Sequence, residues 1–369
     1  MSEYQCYEFA ALERPLSAKE LAELREISTR ADISPTRFWN EYQWGDLKAD
    51  PAKLLERYFD AHLYFANWGT RRLMLRLPRA RFEPKMLAPY FPRSHAARLV
   101  TATGHLVLDL SSEEEDFDYV ESPGSLSTLG QLRAELLRGD LRPAYLAWLL
   151  AVQNDEVDDA SREPPVPEGL SQLTAAQDAM VEFLRIDIDL LGAAATGSKP
   201  EADDGPQLRQ WVAELPAKET TAWLNRAVEQ PDLALGNELL RAFRAMRQTK
   251  ASLPIRSVAE LRAQADALRA AREQAAVARA RKAKAAAEAA RQRHLSKLAN
   301  DVDGAWTRLA TLVAESRYDE ALRVAIELRD LAARDGEDAN FSTRFEAFRK
   351  IHMRRRGFFD RWKRAARST

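Results

Sequence analysis

Cysteine occurs once in this chain of 369 residues, at Cys6. A single thiol excludes an internal disulfide framework and any zinc site built from several cysteines, and it suits a reducing compartment. Long hydrophobic runs are missing too. The longest, Ala144 to Val152, falls far short of the roughly 20 apolar residues that span a bilayer. The N-terminus carries charges inside its apolar stretch and lacks a signal-peptide layout, so the expected location is cytoplasmic.

The patterns that carry phosphate and acyl-transfer chemistry are also absent. There is no P-loop and no strand-borne G-x-G-x-x-G, and Gly197-Ser198-Lys199 lacks the Gly-Lys-Ser/Thr order of a P-loop. Ser125 and Ser127 lack the flanking glycines of a nucleophile elbow. Among His62, His95, His105, His294 and His352, one constellation is worth weighing: Asp60 and His62 near a helix end, with His95, His105 and Asp109 around a hairpin. A metal needs such groups to converge. Two residues apart on a helix, Asp60 and His62 point in different directions. His105 and Asp109 share a strand face but stand well apart along it. Ordinary surface or half-buried histidines are the favoured reading. Cys6, inside an aromatic strand, reads as a small core residue rather than a nucleophile. No catalytic residue, metal ligand or cofactor is assigned, and an enzyme reading survives only because scattered active sites leave no local motif.

What the chain does have is a long polar helix. From Ser257 to Asn300 its middle reads AAREQAAVARARKAKAAAEAARQRH, with no glycine or proline and Val277 as the only large aliphatic. Alanine and arginine favour helix strongly, yet this one has almost nothing to bury. It is a solvated strut of roughly 65 Å at about 1.5 Å per residue, a close-packed alanine seam, or a basic surface for a polyanion. The leucine heptads of an ordinary coiled coil are lacking.

Four regions are expected. Residues 1–112 read as a small α+β domain, a ferredoxin-like or similar sandwich. Tyr4 to Phe9, Thr36 to Trp44 and Thr70 to Leu77 carry strand signals, and Arg98 to Thr101 with His105 to Leu110 form a hairpin. Ser17 with Glu20 makes a capping box, and Asp50-Pro51 caps a helix through Leu54, Leu55, Tyr58 and Phe59. Residues 126–250 read as an irregular helical bundle without a strict repeat. The long helix occupies 257–300, and 301–369 form a helical hairpin with a basic C-terminal helix.

In that last region Trp306, Leu309, Leu312 and Val313 precede Tyr318-Asp319-Glu320-Ala321-Leu322. This resembles a tetratricopeptide-type hairpin, in one copy and with about one residue fewer in the turn. The stretch from Tyr318 through Phe341, Phe345 and Arg349 to Arg355-Arg356-Gly357-Phe358-Phe359 resembles the helical C-terminal end of bacterial SWIM zinc-finger-associated proteins. With Cys6 alone, that family's zinc binding does not carry over. The resemblance implies a bacterial helical interaction module with nucleic acid in its neighbourhood.

Net charge is only -1, but it is unevenly spread. Glu113 to Glu121 and Asp155 to Asp159 are acidic clusters. The candidate polyanion-binding residues lie in the long helix (Arg279, Arg281, Lys282, Lys284, Arg291, Arg293) and the C-terminal region (Arg349, Lys350, Arg354, Arg355, Arg356, Arg361, Lys363, Arg364). Two other accounts of the C-terminal segment stand beside phosphate binding: Phe341, Phe345, Phe348, Phe358, Phe359 and Trp362 dock it onto the preceding hairpin, which is favoured, or Phe358, Phe359 and Trp362 face an anionic membrane, which is not. Trp39, Trp44, Tyr64 and Trp68 with Arg71, Arg72 and Arg76 suggest base stacking, but core filling is favoured. The leading function is a protein-interaction scaffold or adaptor subunit with one or more protein partners. The other is a nucleic-acid-binding subunit using the basic helix and tail without sequence preference.

Overall fold

The computed structural model describes residues 4–79, 82, 84–114, 124–200, 204–229, 235–250 and 256–367. These fall into two compact units, Met1–Ala271 and Arg272–Thr369.

The first unit opens with β1 (Gln5–Ala10), α1 (Ala18–Ile27), β2 (Asp32–Ser34), β3 (Arg37–Tyr42), α2 (Pro51–Tyr58), β4 (Ala61–Ala66), β5 (Arg71–Pro78), α3 (Pro84–Leu87), β6 (Ala97–Ala102) and β7 (His105–Ser112). The strands form one antiparallel sheet in the order β2-β3-β1-β4-β5-β7-β6. The expected caps are in place. Ser17 and Glu20 form a reciprocal capping box on α1, and the Asp50 side chain accepts from the Ala52 amide with Pro51 in the first turn of α2.

Strand alternation sorts the core into two layers. Tyr7, Phe9, Phe38, Met74 and Val107 face α1 and α2 through Leu24, Leu54 and Leu55. Cys6, Leu63, Leu73, Leu75, Leu108 and Leu110 face the other way. They are covered by α4 (Leu126–Leu129), α5 (Gln131–Leu137), α6 (Arg142–Gln153), α7 (Ala175–Leu184) and α8 (Ile188–Thr196). From Arg142 to Val152 every residue of α6 is buried, as expected of a helix that is apolar on all sides. The α+β head followed by a mainly helical body is therefore what the chain adopts.

Two expectations need correction. The helix containing Tyr58 ends there, and His62 lies in β4, in register with Phe9 of β1 and Met74 of β5. The break expected between residues 112 and 126 does not divide the core, because α4 to α8 complete the layer under the sheet. Four members of the first acidic cluster, Glu115, Asp116, Asp118 and Glu121, lie outside the described residues.

Next come α9 (Asp204–Ala213), α10 (Ala217–Glu229) and α11 (Leu235–Lys250). They pack lightly. Neither α9 nor α10 has a fully buried residue, and α9 meets α11 through Trp211 and Phe243, rings 5.8 Å apart. The long helix, α12 (Val258–Ala299), has 42 residues and begins in the first unit.

The second unit continues with α13 (Val302–Ala314), α14 (Tyr318–Asp335), α15 (Asp338–Ile351) and α16 (Arg356–Arg367). Trp306, Leu309 and Val313 of α13 meet Ala321, Val324 and Leu328 of α14, and Phe345, Phe348, Phe358 and Phe359 complete the same core. Phe358 is fully buried and Phe359 nearly so, so these rings hold α16 to the hairpin rather than facing a membrane. Among the described residues, no helix is long and apolar enough to cross a bilayer.

Candidate interaction surface

The root of α12 is fixed tightly. Ser257 and Glu260 form a capping box, the Glu260 carboxylate accepting from the Ser257 amide at 2.7 Å. Just upstream, the Arg256 guanidinium donates two 2.9 Å hydrogen bonds to the buried Glu163 carboxylate, which also accepts from the Tyr145 hydroxyl. Burial of the phenol and the nearby Glu163 charge push the Tyr145 pKa well above its ordinary value. Val258, Leu261 and Ala265 enter the core. Arg262 donates to the Val152 carbonyl at 2.8 Å and pairs with Asp155 and Asp159 at 2.7 and 3.3 Å, while Arg269 pairs with Asp187. Part of the second acidic cluster thus serves the base of the long helix.

The far end of α12 is fixed within the second unit. Leu295 is buried and Leu298 half-buried against the helical core. Arg291 pairs with Asp330 at 2.7 Å, and His294 Nε2 lies 3.1 Å from a Glu327 carboxylate oxygen. Between these anchors every residue from 270 to 294 is exposed. Arg279, Arg281, Lys282 and Lys284 make no ion pair or side-chain hydrogen bond among the described residues. At about 100° per residue they are distributed around the whole circumference, so a flat ligand reaches only some of them. On one side, Ala276, Ala280, Ala283, Ala287 and Ala290 recur at spacings of four and three, leaving the backbone open to close approach.

The C-terminal cations divide into three groups. Arg355 closes the end of α13, donating to the Ala314 carbonyl at 2.9 Å and to the Ser316 hydroxyl at 3.1 Å. Arg361 pairs with Asp319 at 2.9 Å, and its guanidinium carbon lies 5.5 Å from the centre of the Tyr318 ring. Arg349 pairs weakly with Glu346 on its own helix, Arg364 donates to the Asp360 carbonyl at 3.4 Å, and Arg293 reaches the Ala289 carbonyl. Lys350, Arg354, Arg356 and Lys363 are exposed and have no such contact among the described residues. Arg291, Arg355 and Arg361 therefore serve the fold, and the cations open to a partner are those of mid-α12 and the outer tail.

The histidine constellation does not assemble. Asp60 accepts from the Leu12 and Glu13 amides at 2.7 and 2.8 Å and from Arg76 at 2.7 Å; despite its burial, these donors hold its pKa below the ordinary carboxylate value. Asp109 is held low in the same way, by Arg72 and Arg98. His62 is enclosed between aromatic rings, His105 sits at the hairpin end opposite Pro78 and Ala102, and His95 uses its backbone amide on Glu156. Among the described residues no group of three His, Cys, Asp or Glu could hold a metal ion. Nor do the aromatics form a stacking platform. Trp39 and Tyr64 lie on opposite faces of the sheet, and Arg71 caps the end of α7 through the Glu182 and Phe183 carbonyls.

No family model, no curated protein and no solved structure matches the chain.

Proposed function

We propose that this chain is a non-enzymatic interaction scaffold, an adaptor subunit of a multi-protein assembly, and that the exposed middle of α12 is its principal docking element. The observation that carries this reading is the run from 270 to 294, helical and wholly exposed although both flanking stretches are anchored in packed cores. A partner helix laid along the alanine side gains close backbone approach, and acidic side chains on it meet Arg279, Arg281, Lys282 or Lys284.

The test is a photo-crosslinking residue at Ala283 in the tagged full-length chain, purified from its native host at moderate salt with and without nuclease. A discrete protein adduct that survives nuclease is expected. Replacing Arg279, Arg281, Lys282 and Lys284 together by Gln should abolish it without moving Tm, because these side chains hold nothing in the fold. The same unpaired cations favour a second reading, a nucleic-acid-binding subunit. It requires adducts only to nucleic acid, lost on nuclease treatment, and an affinity that falls steeply with salt.

A further inference from the structure

The sheet carries a second feature, at the β2–β3 edge of the first unit. On the face that α4 to α8 cover elsewhere, the edge strands stay open and leave a cavity of about 380 Å³, within the roughly 300–1,000 Å³ range of small-molecule sites. Register explains its lining. Trp39 is directly opposite Asp32 of β2 on one side and Glu8 of β1 on the other, so an indole stands between two carboxylates on one face. Directly opposite side chains in an antiparallel pair stand about 5 Å apart at Cβ. Arg37, two residues before Trp39 on the same face, reaches back over it with its guanidinium carbon 5.8 Å from the ring centre. Cys6 forms part of the floor and Ser125 part of the rim.

The charges in this cavity are not equally available. Glu8 is nearly buried and committed: one oxygen accepts from Arg37 Nε at 2.8 Å, the other from the Leu126 amide at 3.1 Å. Asp32 is 70% exposed, and its nearest cation, Arg37 Nη1, is 3.6 Å away. Two carboxylates against one guanidinium leave the lining net negative, and the guanidinium is already engaged by Glu8. The thiol adds no charge, because burial, and then Glu8, push the Cys6 pKa up to about 12. An anion entering here meets repulsion. A cation meets an indole face, a loosely held carboxylate and a guanidinium that already marks the position a cation takes.

We infer that this cavity binds a small organic cation, an amine or guanidine carrying an apolar group, with Trp39 as its wall and Asp32 as its counter-ion. Binding displaces the Arg37 guanidinium from Asp32 and from the indole while the Arg37–Glu8 pair persists.

The test uses the full chain and three probes of matched shape, phenethylamine, phenylacetate and 2-phenylethanol, followed by calorimetry and by tryptophan fluorescence. Phenethylamine should bind saturably, in the range of about 0.1–5 mM, and the other two more weakly. Asp32→Asn should weaken phenethylamine by about two- to fivefold, as expected for a largely exposed ion pair, and Trp39→Ala by about three- to thirtyfold. Arg37→Met, which removes the internal competitor, should tighten it. Asp32 sits on an exposed edge strand, so an unchanged Tm for Asp32→Asn separates lost binding from lost folding. The proposal is overturned if phenylacetate binds as tightly as phenethylamine, if Asp32→Asn leaves phenethylamine binding unchanged, or if no probe saturates by about 20 mM.

Discussion

His62 offers the sharpest test of the sheet as described. The imidazole is fully buried in β4, its ring stacked 4.1 Å from that of Phe9, with Nδ1 3.0 Å from the Glu8 carbonyl oxygen. A carbonyl only accepts, so Nδ1 carries the proton and donates. Nε2 is then the bare acceptor, and it has no hydrogen-bond partner among the described residues. Burial pushes the pKa from 6.5 down to about 3. Between those values the unfolded chain binds a proton that the folded chain refuses, so stability rises with pH in this window. The contribution is complete above about pH 6.5 and is lost as pH falls towards 3, with a slope approaching about 1.4 kcal/mol per pH unit. From about pH 8 to pH 5 the loss is roughly 2 kcal/mol, a large fraction of a typical domain's stability. His352 in the second unit is lowered as well, by burial and then by Arg355, so the raw slope does not isolate one residue. The readout is the difference between wild type and His62→Phe in urea unfolding. The phenylalanine keeps the ring stack and forfeits one hydrogen bond, a pH-independent cost of about 1 kcal/mol relative to the neutral histidine, and it has no proton to take up. Between pH 8 and 5 the wild type should lose about 2 kcal/mol more than the variant. Parallel losses would refute the burial of a neutral imidazole in β4.

The remaining predictions concern α12 and the second unit. Arg256→Met leaves the Glu163 carboxylate with only Tyr145 as a side-chain donor among the described residues. It should cost about 3–5 kcal/mol in thermal or urea unfolding and raise amide exchange through residues 256–265. Phe358→Ala empties a fully buried site among Phe348 and Phe359. It should cost about 3–5 kcal/mol, seen as earlier proteolysis of the α13–α16 region in a temperature series. In hydrogen exchange the middle of α12 should be less protected than Val258 to Ala265 or Leu295, and Ala283→Gly should lower its protection further by about fivefold, the equivalent of about 1 kcal/mol. Core-like protection there in the isolated chain would contradict a solvated helix.

Local signals made much of the first sheet legible. The Ser17 capping box, Asp50-Pro51 and the Thr103-Gly104 turn each act within a few residues, and each places an element as the structure has it. Strand β4 was illegible because AHLYFA is buried on both faces, which erases the alternation that identifies a half-exposed strand. The acidic and proline-rich stretches suggested breaks, but α6 is apolar all round and finds its partner only in a sheet formed earlier in the chain. The asymmetry of charge was readable; the division of labour within it was not. Whether Arg361 faces Asp319 or solvent depends on how α16 meets α14, and no spacing rule encodes that. The Trp39 cavity was hidden for the same reason. Asp32 and Glu8 flank the indole through register, and they lie seven and thirty-one residues from it in the chain.

An exposed helix of this length raises the question of what keeps it helical. Hydrophobic burial does not, since nothing from 270 to 294 is covered. Intrinsic preference contributes, because alanine and arginine are among the best helix formers. Nucleation is the unfavourable step in isolated helices, and here it is already accomplished at both ends. The Ser257–Glu260 box with Val258 and Leu261 fixes the first turns, and Leu295 with the Arg291–Asp330 pair fixes the last. The middle then only propagates. Arg279, Arg281, Lys282 and Lys284 take no part in that nucleation, so each can be exchanged for another good helix former such as glutamine with little effect on the helix. The C-terminal cations are constrained differently. Arg355 closes the end of α13 and Arg361 ties α16 to Asp319 of α14, so replacing them loosens the fold and any bound partner together. A loss of binding is therefore interpretable as recognition at mid-α12, whereas at Arg355 or Arg361 it must first be separated from a loss of structure.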